Sequence, residues 1–272
     1  MTMTRRYDAD IRDLPAVDRA AALDALCEGL RSPDPAVRDD GAYLAAVRWT
    51  PALTPGERGR LGDRMALHLT DQAVQARSFA PLVLARLVES GDWRPGWWTA
   101  FARWYPAETD LRGHDPVLGW VHAAAHGADL LAVLARHPGQ PPLPLAELAT
   151  ARLLAPTDHL FDAQEDDRIA YALAQILGHP DLTEADSVRW LAPVAAAFRT
   201  GEPGPVPAWA SNTMRTLRML YVLADRGVSR RNRDEPPRRL THRATVLEEL
   251  ARTLAIVAPL HRLTVRTGAP CP

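Results

Sequence analysis

Two histidines and one aspartate stand out in the middle of the chain, in the stretch GWVHAAAHGADLL at 119–131. If residues 117–137 form a helix, then at 3.6 residues per turn His122, His126 and Asp129 point into one arc of roughly 60°. The positions around them hold Val, Ala and Gly rather than the Arg, Glu and Gln of a solvated helical face. The pattern therefore predicts a buried polar site on this helix.

Several kinds of chemistry use these residue types. Two imidazoles four residues apart can share a metal ion, and a carboxylate one turn further on can complete a three-ligand face. The same groups can act as acid and base, with the carboxylate fixing a histidine tautomer, or they can contact a ligand directly. They can also form a buried structural network in which Asp129 pairs with an arginine. The spacing leaves these roles open, and a structural network is the commonest of them.

Charged residues before this helix and before the helix that starts near 166 extend the candidate site. Arg112, in the turn DLRG at 110–113, is placed to form a bidentate pair with Asp129 or Glu165. The acidic run at 162–167 is typical of a helix N-terminus, where carboxylates cap the chain and favour the helix dipole.

A second polar seam is predicted in SNTMRTLRMLY at 211–221, where polar side chains recur every three residues. If this seam faces the first, it forms a polar pocket with it, although a solvated face is the expected role of Arg215. Trp120 lies inside the central motif, and tryptophans of this kind fill a core or line a ligand groove. The candidate ligand contacts are Asp110, Arg112, Trp120, Glu165, Arg168, Asn212, Arg218 and Tyr221.

The composition excludes several cofactors. The chain of 272 residues has no lysine, so all 32 of its basic residues are arginine. Without lysine there is no Schiff base to pyridoxal phosphate, no biotin attachment and no phosphate-binding lysine of a P-loop. No G-x-G-x-x-G follows a strand-like run, so a nicotinamide site is not expected either. Cys27 and Cys271 form neither a disulfide framework nor a C-x-x-C metal motif.

Charge and hydropathy indicate a protein that works in water. The formal net charge is −1, which argues against a dedicated partner of nucleic acid or of membrane surfaces. The arginine-rich run at 226–243 lacks interleaved aromatic residues and is interpreted as a solvated linker. No apolar run approaches the length needed to span a bilayer, and the first residues lack the apolar region of a secretory signal. We therefore expect a cytoplasmic protein.

Helical periodicity dominates the chain, and strand signals are scarce. We predict a single all-α domain over 1–272, built as a HEAT-like or ARM-like stack of antiparallel helix pairs (an α-α superhelix) without a significant β-sheet. Residues 201–207 and 227–239 are predicted to be exposed loops. The predicted helices are 15–31, 34–49, 55–69, 73–90, 95–105, 117–137, 143–154, 166–178, 184–199, 209–226 and 240–262.

Five stretches of the chain carry a family resemblance. They are ARSFAPLVLARL (76–87), DLRG (110–113), GWVHAAAHGADLL (119–131), EDDRIAYAL (165–173) and SNTMRTLRMLY (211–221). In order and content they resemble a bacterial family known as domain of unknown function 2785. The resemblance implies an all-helical, HEAT-like fold and no particular activity. Residues 1–30, read as a poorly matched N-terminal helix, and 227–240 do not share it.

Three functional hypotheses follow. The first is a helical binding protein whose polar pocket of His, Asp and Arg holds a small molecule or a peptide. The second is an enzyme acting on a small metabolite, either metal-dependent or with His122 or His126 as general base and Asp129 as orienting residue. The third is a HEAT-like nucleic-acid-binding protein. It is the weakest of the three, because a net charge close to zero does not favour binding to nucleic acid.

Overall fold

The computed structural model describes residues 7–201, 204–229 and 236–258. In these residues the protein is all-α apart from one two-stranded hairpin, which confirms the predicted fold class. None of the helices in this part combines the length and the apolarity that crossing a bilayer requires. The helices are α1 (Ala16–Gly29), α2 (Pro35–Val37), α3 (Leu44–Trp49), α4 (Pro55–His68), α5 (Val74–Glu89), α6 (Pro95–Ala107), α7 (Ala123–Leu134), α8 (Pro142–Leu154), α9 (Glu165–Leu177), α10 (Asp186–Arg189), α11 (Ala192–Arg199), α12 (Ala208–Arg226) and α13 (Arg243–Val257).

Three shorter helical turns complete the description. A π-helical turn, Arg38–Tyr43, joins α2 to α3, and single 3₁₀ turns lie at Ile11–Asp13 and Thr50–Ala52. Proline occupies the first turn of α2, α4, α6 and α8, where its missing N–H costs no helical hydrogen bond. At α4 the hydroxyl of Thr54 and the carboxylate of Glu57 form a capping box. These signals explain why most of the predicted helices begin within two residues of the helix starts in the structure.

The helices pack in two rows. In one row α5 lies against α7, α7 against α9, and α9 against α12. In the other row α4 lies against α6 and α6 against α8. The chain alternates between the rows from α4 to α9, so consecutive members of one row are separated by one helix of the other. The core draws on residues of both rows and is rich in Ala and Leu.

Small residues on α7 bring its neighbours close. A Cβ atom placed on Gly127 would lie 2.1 Å from the ring of Tyr105 on α6. The hydroxyl of Tyr105 donates to the carbonyl of Ala124, 2.7 Å away. A larger side chain at position 127 would push α6 and α7 apart. The run of Ala and Gly in this helix therefore serves its packing from several sides.

The predicted helix 117–137 is wrong over its first six residues. A hairpin stands there, with strands β1 (His114–Asp115) and β2 (Gly119–Trp120), and α7 begins at Ala123. Asp115 closes the turn, because its carboxylate accepts hydrogen bonds from the backbone N–H groups of Val117 and Leu118, each at 2.9 Å. Gly119 then adopts φ +69°, which a helix cannot contain.

Two other helices differ from the prediction. The segment 184–199 forms two short helices, α10 and α11, because Pro193 lacks the N–H that would continue one helix through it. The last helix begins at Arg243 rather than at 240, since Val228 and Arg238 pair as a β-bridge and the chain turns before α13. Residues 259–262 of that prediction lie outside the described residues.

The predicted loops and cysteines lie partly outside the described residues as well. Residues 202–203 of the first loop, 230–235 of the second, and Cys271 are not described. Cys27 is buried in α1, and burial raises the pKa of its thiol to about 11. At neutral pH the thiol is protonated, so Cys27 packs as a small apolar side chain.

Candidate functional site

His122 does not belong to helix α7 but immediately precedes it, in the left-handed region at φ 52° and ψ 31°. Its Nε2–H donates to the carbonyl of Ala163, 2.9 Å away, in the loop before α9. Its backbone N–H donates to the carbonyl of Arg112 at 3.0 Å. These bonds hold a non-glycine residue in a conformation that costs about 1–3 kcal/mol, and such residues cluster at functional sites.

His126 lies one helical turn further on and is 7 % exposed. Its Nδ1 is 2.9 Å from the carbonyl oxygen of Ser78 on α5. Because a carbonyl only accepts, Nδ1 carries the proton and Nε2 keeps its lone pair. Burial and the neighbouring His122 lower the pKa of His126 to about 3, so the ring is neutral at physiological pH. Among the described residues Nε2 has no hydrogen-bond partner. This nitrogen keeps some contact with the surface of the protein, so it is not sealed inside the core.

Glu165, the first residue of α9, is fully buried. Its Oε2 accepts from the backbone N–H of Ala163 at 2.9 Å. Its Oε1 lies 3.4 Å from Nε2 of His122, but the proton on that nitrogen points at Ala163. Oε1 therefore makes no regular hydrogen bond. Burial raises the pKa of Glu165, but the interactions with His122 and with backbone N–H groups outweigh it and leave the pKa below its ordinary value. The carboxylate is therefore charged and only half satisfied.

The glycine of the DLRG turn is explained by this packing. A Cβ atom on Gly113 would lie 2.3 Å from Cβ of Ala163 and 2.5 Å from Oε1 of Glu165. Any larger residue would separate the turn from the start of α9. The backbone carbonyl of Gly113 also accepts from the N–H of Val121 at 3.0 Å, so the turn holds the residues that lead into His122.

Asp129 pairs with Arg168 of α9 and not with Arg112. Nε of Arg168 donates to Oδ1 of Asp129 at 2.9 Å, and Nη2 donates to Oδ2. The expectation that Arg112 reaches Asp129 or Glu165 is wrong. Arg112 donates to Asp110 at 2.9 and 2.6 Å and to Asp115 at 2.5 Å, because the turn that carries it leads into the hairpin. Asp110 and Arg112 therefore brace the hairpin from outside the site.

Trp120 covers the other side of His122. The two rings stack with centroids 4.6 Å apart and an interplanar angle of 24°, and His114 meets Trp120 edge-on at 5.0 Å. His122 in turn contacts His126 at 5.6 Å, edge to face. Trp120 remains 46 % exposed, so part of its surface can receive a planar ligand. We call the group formed by Trp120, His122, His126, Asp129 and Arg168 the imidazole site.

Sequence reasoning missed Tyr43, which borders the imidazole site. Its ring meets Phe79 edge-on at 5.9 Å, and Phe79 meets His126 edge-on at 5.2 Å. Burial raises the pKa of Tyr43, and the charges of Arg86, Asp129, Glu89 and Arg168 act on it to a smaller extent. No local signal marks Tyr43, since it lies some eighty residues before the motif and reaches the site through the packing of α5 against α7.

The second polar seam does not face the imidazole site, because α9 lies between α12 and α7. Asn212 is buried but is used structurally, accepting from the N–H of Phe161 and donating to the carbonyl of His159, both at 2.9 Å. Arg218 is exposed, and so is Tyr221 at 39 %. Arg215, expected on a solvated face, instead pairs with Asp166 at 2.6 Å.

The three-ligand metal face that His122, His126 and Asp129 could form on one helix, one of the alternatives left open by the sequence, is absent from the described residues. In the described part of the chain no group of three or more His, Cys, Asp and Glu side chains is placed to hold a metal ion. The physical reason is that His122 lies outside the helix, so the i, i+4 geometry is lost, and that Asp129 is engaged by Arg168. Cavities of about 380, 410 and 560 Å³ on the described surface are lined by other residues.

Fold and site together define an all-α protein in which polar side chains at the N-termini of α7 and α9 lie close together and are only partly hydrogen-bonded. No curated protein and no solved structure matches the chain. Residues 63–222 match the family described as protein of unknown function (DUF2785). This match covers more than half of the 272 residues, so the protein belongs to that family, and the resemblance seen in the sequence is confirmed.

Proposed function

We propose that the protein binds a small molecule at the imidazole site. The observation that carries the proposal is the free Nε2 lone pair of His126, whose ring contacts His122, the residue on which the 46 % exposed ring of Trp120 stacks. Because this nitrogen is not fully enclosed, a ligand donor can reach it, and a hydrogen bond to it would contribute about 0.5–1.5 kcal/mol. The left-handed conformation of His122 supports the same interpretation, because strain of this kind is kept where it has a use.

Binding is favoured over base catalysis by His126. A general base works best when its pKa lies near the operating pH. With a pKa of about 3, His126 accepts a hydrogen bond at neutral pH but holds a proton poorly. Asp129, the orienting residue of the enzyme hypothesis, is already bound to Arg168.

The charges of the site favour an uncharged, planar ligand. The guanidinium of Arg168 and the carboxylate of Asp129 neutralise each other, so the pair leaves no net charge to attract an ion. Trp120 offers a ring surface for stacking, and His126 offers one acceptor. A heteroaromatic ring or planar amide with an N–H or O–H donor would satisfy both.

For the scaffold we propose a HEAT-like or ARM-like stack within a single domain. The alternation of the chain between two rows of helices supports it, since helix pairs stacked side by side produce such rows. Parallel axes for α5, α7 and α9 are expected in a solved structure, and crossed axes would contradict the stack.

A thermal-shift screen followed by calorimetric titration tests the binding proposal. The library contains uncharged heterocycles and amides, with carboxylate and ammonium analogues of each. In His126→Asn the side chain can still donate to Ser78 but has no atom at the position of Nε2. We expect its affinity for the best compound to fall about tenfold, the value of one hydrogen bond.

His242→Gln is the matched control, because this half-buried histidine donates from Nε2 to Leu182 on a distant part of the fold. Unchanged affinity in this variant and reduced affinity in His126→Asn would support the site. Equal affinity of His126→Asn and the unmodified protein would place the ligand elsewhere, and a preference for the charged analogues would contradict the uncharged class.

An acid–base enzyme is the second candidate, and the contact of Glu165 with His122 favours it. A buried carboxylate 3.4 Å from one imidazole nitrogen can orient the ring, while Nδ1 on the other side remains available for proton transfer. Incubation of the bound compound with protein, followed by NMR, tests it. Conversion that is lost in Glu165→Gln supports an enzyme, and recovery of the unchanged compound contradicts it.

A further inference from the structure

The π-helical turn Arg38–Tyr43 brings two side chains to one place. In an α-helix, residues five apart point about 140° away from each other. In a π-turn the hydrogen bonds run between residues five apart, so Arg38 and Tyr43 lie on the same side. Both contact Phe79: Cζ of Arg38 lies 4.9 Å above the ring, and the ring of Tyr43 meets it edge-on at 5.9 Å. Phe79 is also the ring against which His126 packs.

Arg38 is fully buried and links α2 to the hairpin. Its Nη2 donates to the carbonyl of Leu118 at 2.7 Å and to that of Trp120 at 3.2 Å. Its Nη1 donates to the carbonyl of Ser32 at 3.2 Å, and its Nε donates to Asp39 at 2.6 Å. One guanidinium thus joins the segment before α2 to the residue before strand β2 and to the last residue of that strand.

The hairpin also rests directly on the start of α2. A Cβ atom on Gly119 would lie 2.9 Å from Cγ of Pro35, and Gly119 has φ +69°. The two strands contain only two residues each, and a hairpin of that size is not stable by itself. The position of Trp120 therefore depends on what holds the hairpin from outside.

We propose that Arg38 is the positioning residue of the imidazole site. It holds strand β2 where the ring of Trp120 stacks on His122, and through Phe79 it borders the surface of His126. The π-turn is the local distortion that allows Arg38 to do this while Tyr43 reaches the same site, and π-turns recur at functional sites. The proposal rests on the proposed function for its ligand, but its structural part is tested without one.

Arg38→Met tests the positioning role, since it keeps the apolar stem and removes every donor. The readout is the indole N–H signal of Trp120 in a ¹H–¹⁵N NMR spectrum, identified by its loss in Trp120→Phe. We expect this signal to move towards that of a solvated indole as the stack on His122 is lost. Amide exchange of Val121 and His122 should quicken about tenfold, because the hairpin loses its external support. Affinity for the screened compound should fall by a similar factor.

Two further variants keep the test informative if Arg38→Met does not fold. Arg38→Lys retains a charge but reaches one carbonyl rather than two, so a partial shift of the Trp120 signal is expected. Gly119→Ala disturbs the same contact from the hairpin side, by collision with Pro35 and by its positive φ, and should move the same signal.

Arg48→Met is the matched control. Arg48, on α3, donates to the backbone carbonyl of Tyr7 at 2.5 Å and makes no hydrogen bond to the hairpin among the described residues. Its loss should leave the Trp120 signal in place. An unchanged Trp120 signal in folded Arg38→Met or Arg38→Lys would overturn the positioning role, whether or not a ligand binds. A shifted signal without any bound compound would instead keep that role and count against the proposed function.

Discussion

Two buried carboxylates of this protein, Glu108 and Glu165, differ in how completely they are hydrogen-bonded. Glu108, at the end of α6, accepts five hydrogen bonds: two from Arg77 at 2.6 and 2.9 Å, one from Trp104 at 2.8 Å, and two from the backbone N–H groups of Thr109 and Asp110. Each oxygen is satisfied at least twice. We call this group the Glu108 network.

Glu165 and His126, which both contact His122, are satisfied on one side only. Oε1 of Glu165 makes no regular hydrogen bond, and Nε2 of His126 has no partner among the described residues. The two non-glycine residues with positive φ in the described part, His122 and Gln164, immediately precede α7 and α9 at this same place. The Glu108 network is complete within the protein and is explained by stability alone. The imidazole site is incomplete, and this difference is why we assign the ligand to it.

The largest expected effect separates the two carboxylates. Glu108→Gln should lower the free energy of unfolding by about 3 kcal/mol, because whichever oxygen becomes an NH₂ group faces at least two N–H donors. Glu165→Gln should cost about 1 kcal/mol, because the NH₂ group can take the place of Oε1. Urea titrations at neutral pH measure both. Equal costs would mean that the two sites do not differ as described.

The acid stability of the imidazole site gives an intermediate effect. The pKa of His126 is about 3 when folded and about 6.5 when unfolded, so between these values the unfolded chain binds one more proton. Stability therefore falls as the pH falls below about 6.5, by up to about 1.4 kcal/mol per pH unit. His126→Asn should lack this component.

Urea titrations of both proteins between pH 5 and 6.5 measure the difference in slope. Burial also lowers the pKa of His68, but His68 is present in both proteins and cancels. The same slope in both proteins would show that His126 is not held neutral by burial, and the comparison with the Glu108 network would lose its main support.

The smallest effect concerns the backbone at the imidazole site. Gln164 is exposed and has φ 66°, so glycine should be better there than the present residue. Gln164→Gly should raise the free energy of unfolding by about 1 kcal/mol, whereas Gln164→Ala should not raise it. Thermal unfolding of the pair measures this. If alanine stabilised as much as glycine, the strain inferred before α9 would be absent.

Much of the fold could be predicted because its signals are local. Proline at first-turn positions and the capping box at Thr54 mark helix starts wherever they occur. The burial of His126 also follows from its neighbours, since a helix of Ala and Gly is a packing surface. The start of α7 was missed although a signal was present: the sequence Asp115–Pro116 followed by Gly119 is typical of a tight turn, and the helical period obscured it.

The partners within the site could not be predicted. Arg112 is nearer to Asp129 in sequence than Arg168 is, yet Arg168 forms the pair because α9 packs beside α7. Arg38 and Tyr43 carry no motif at all. They reach the site because a π-turn rotates them to one side and because Phe79 lies between them and His126.

The helical class, most helix starts and the place on the chain where polar groups become buried follow from the amino-acid order, since these depend on propensity, capping and periodicity over a few residues. Which groups meet, which remain unsatisfied and which residues are held at positive φ depend instead on how the helices pack. Those outcomes depend on distances between segments 40 to 80 residues apart, as in the bonds of His122 to Ala163 and of Arg38 to Leu118.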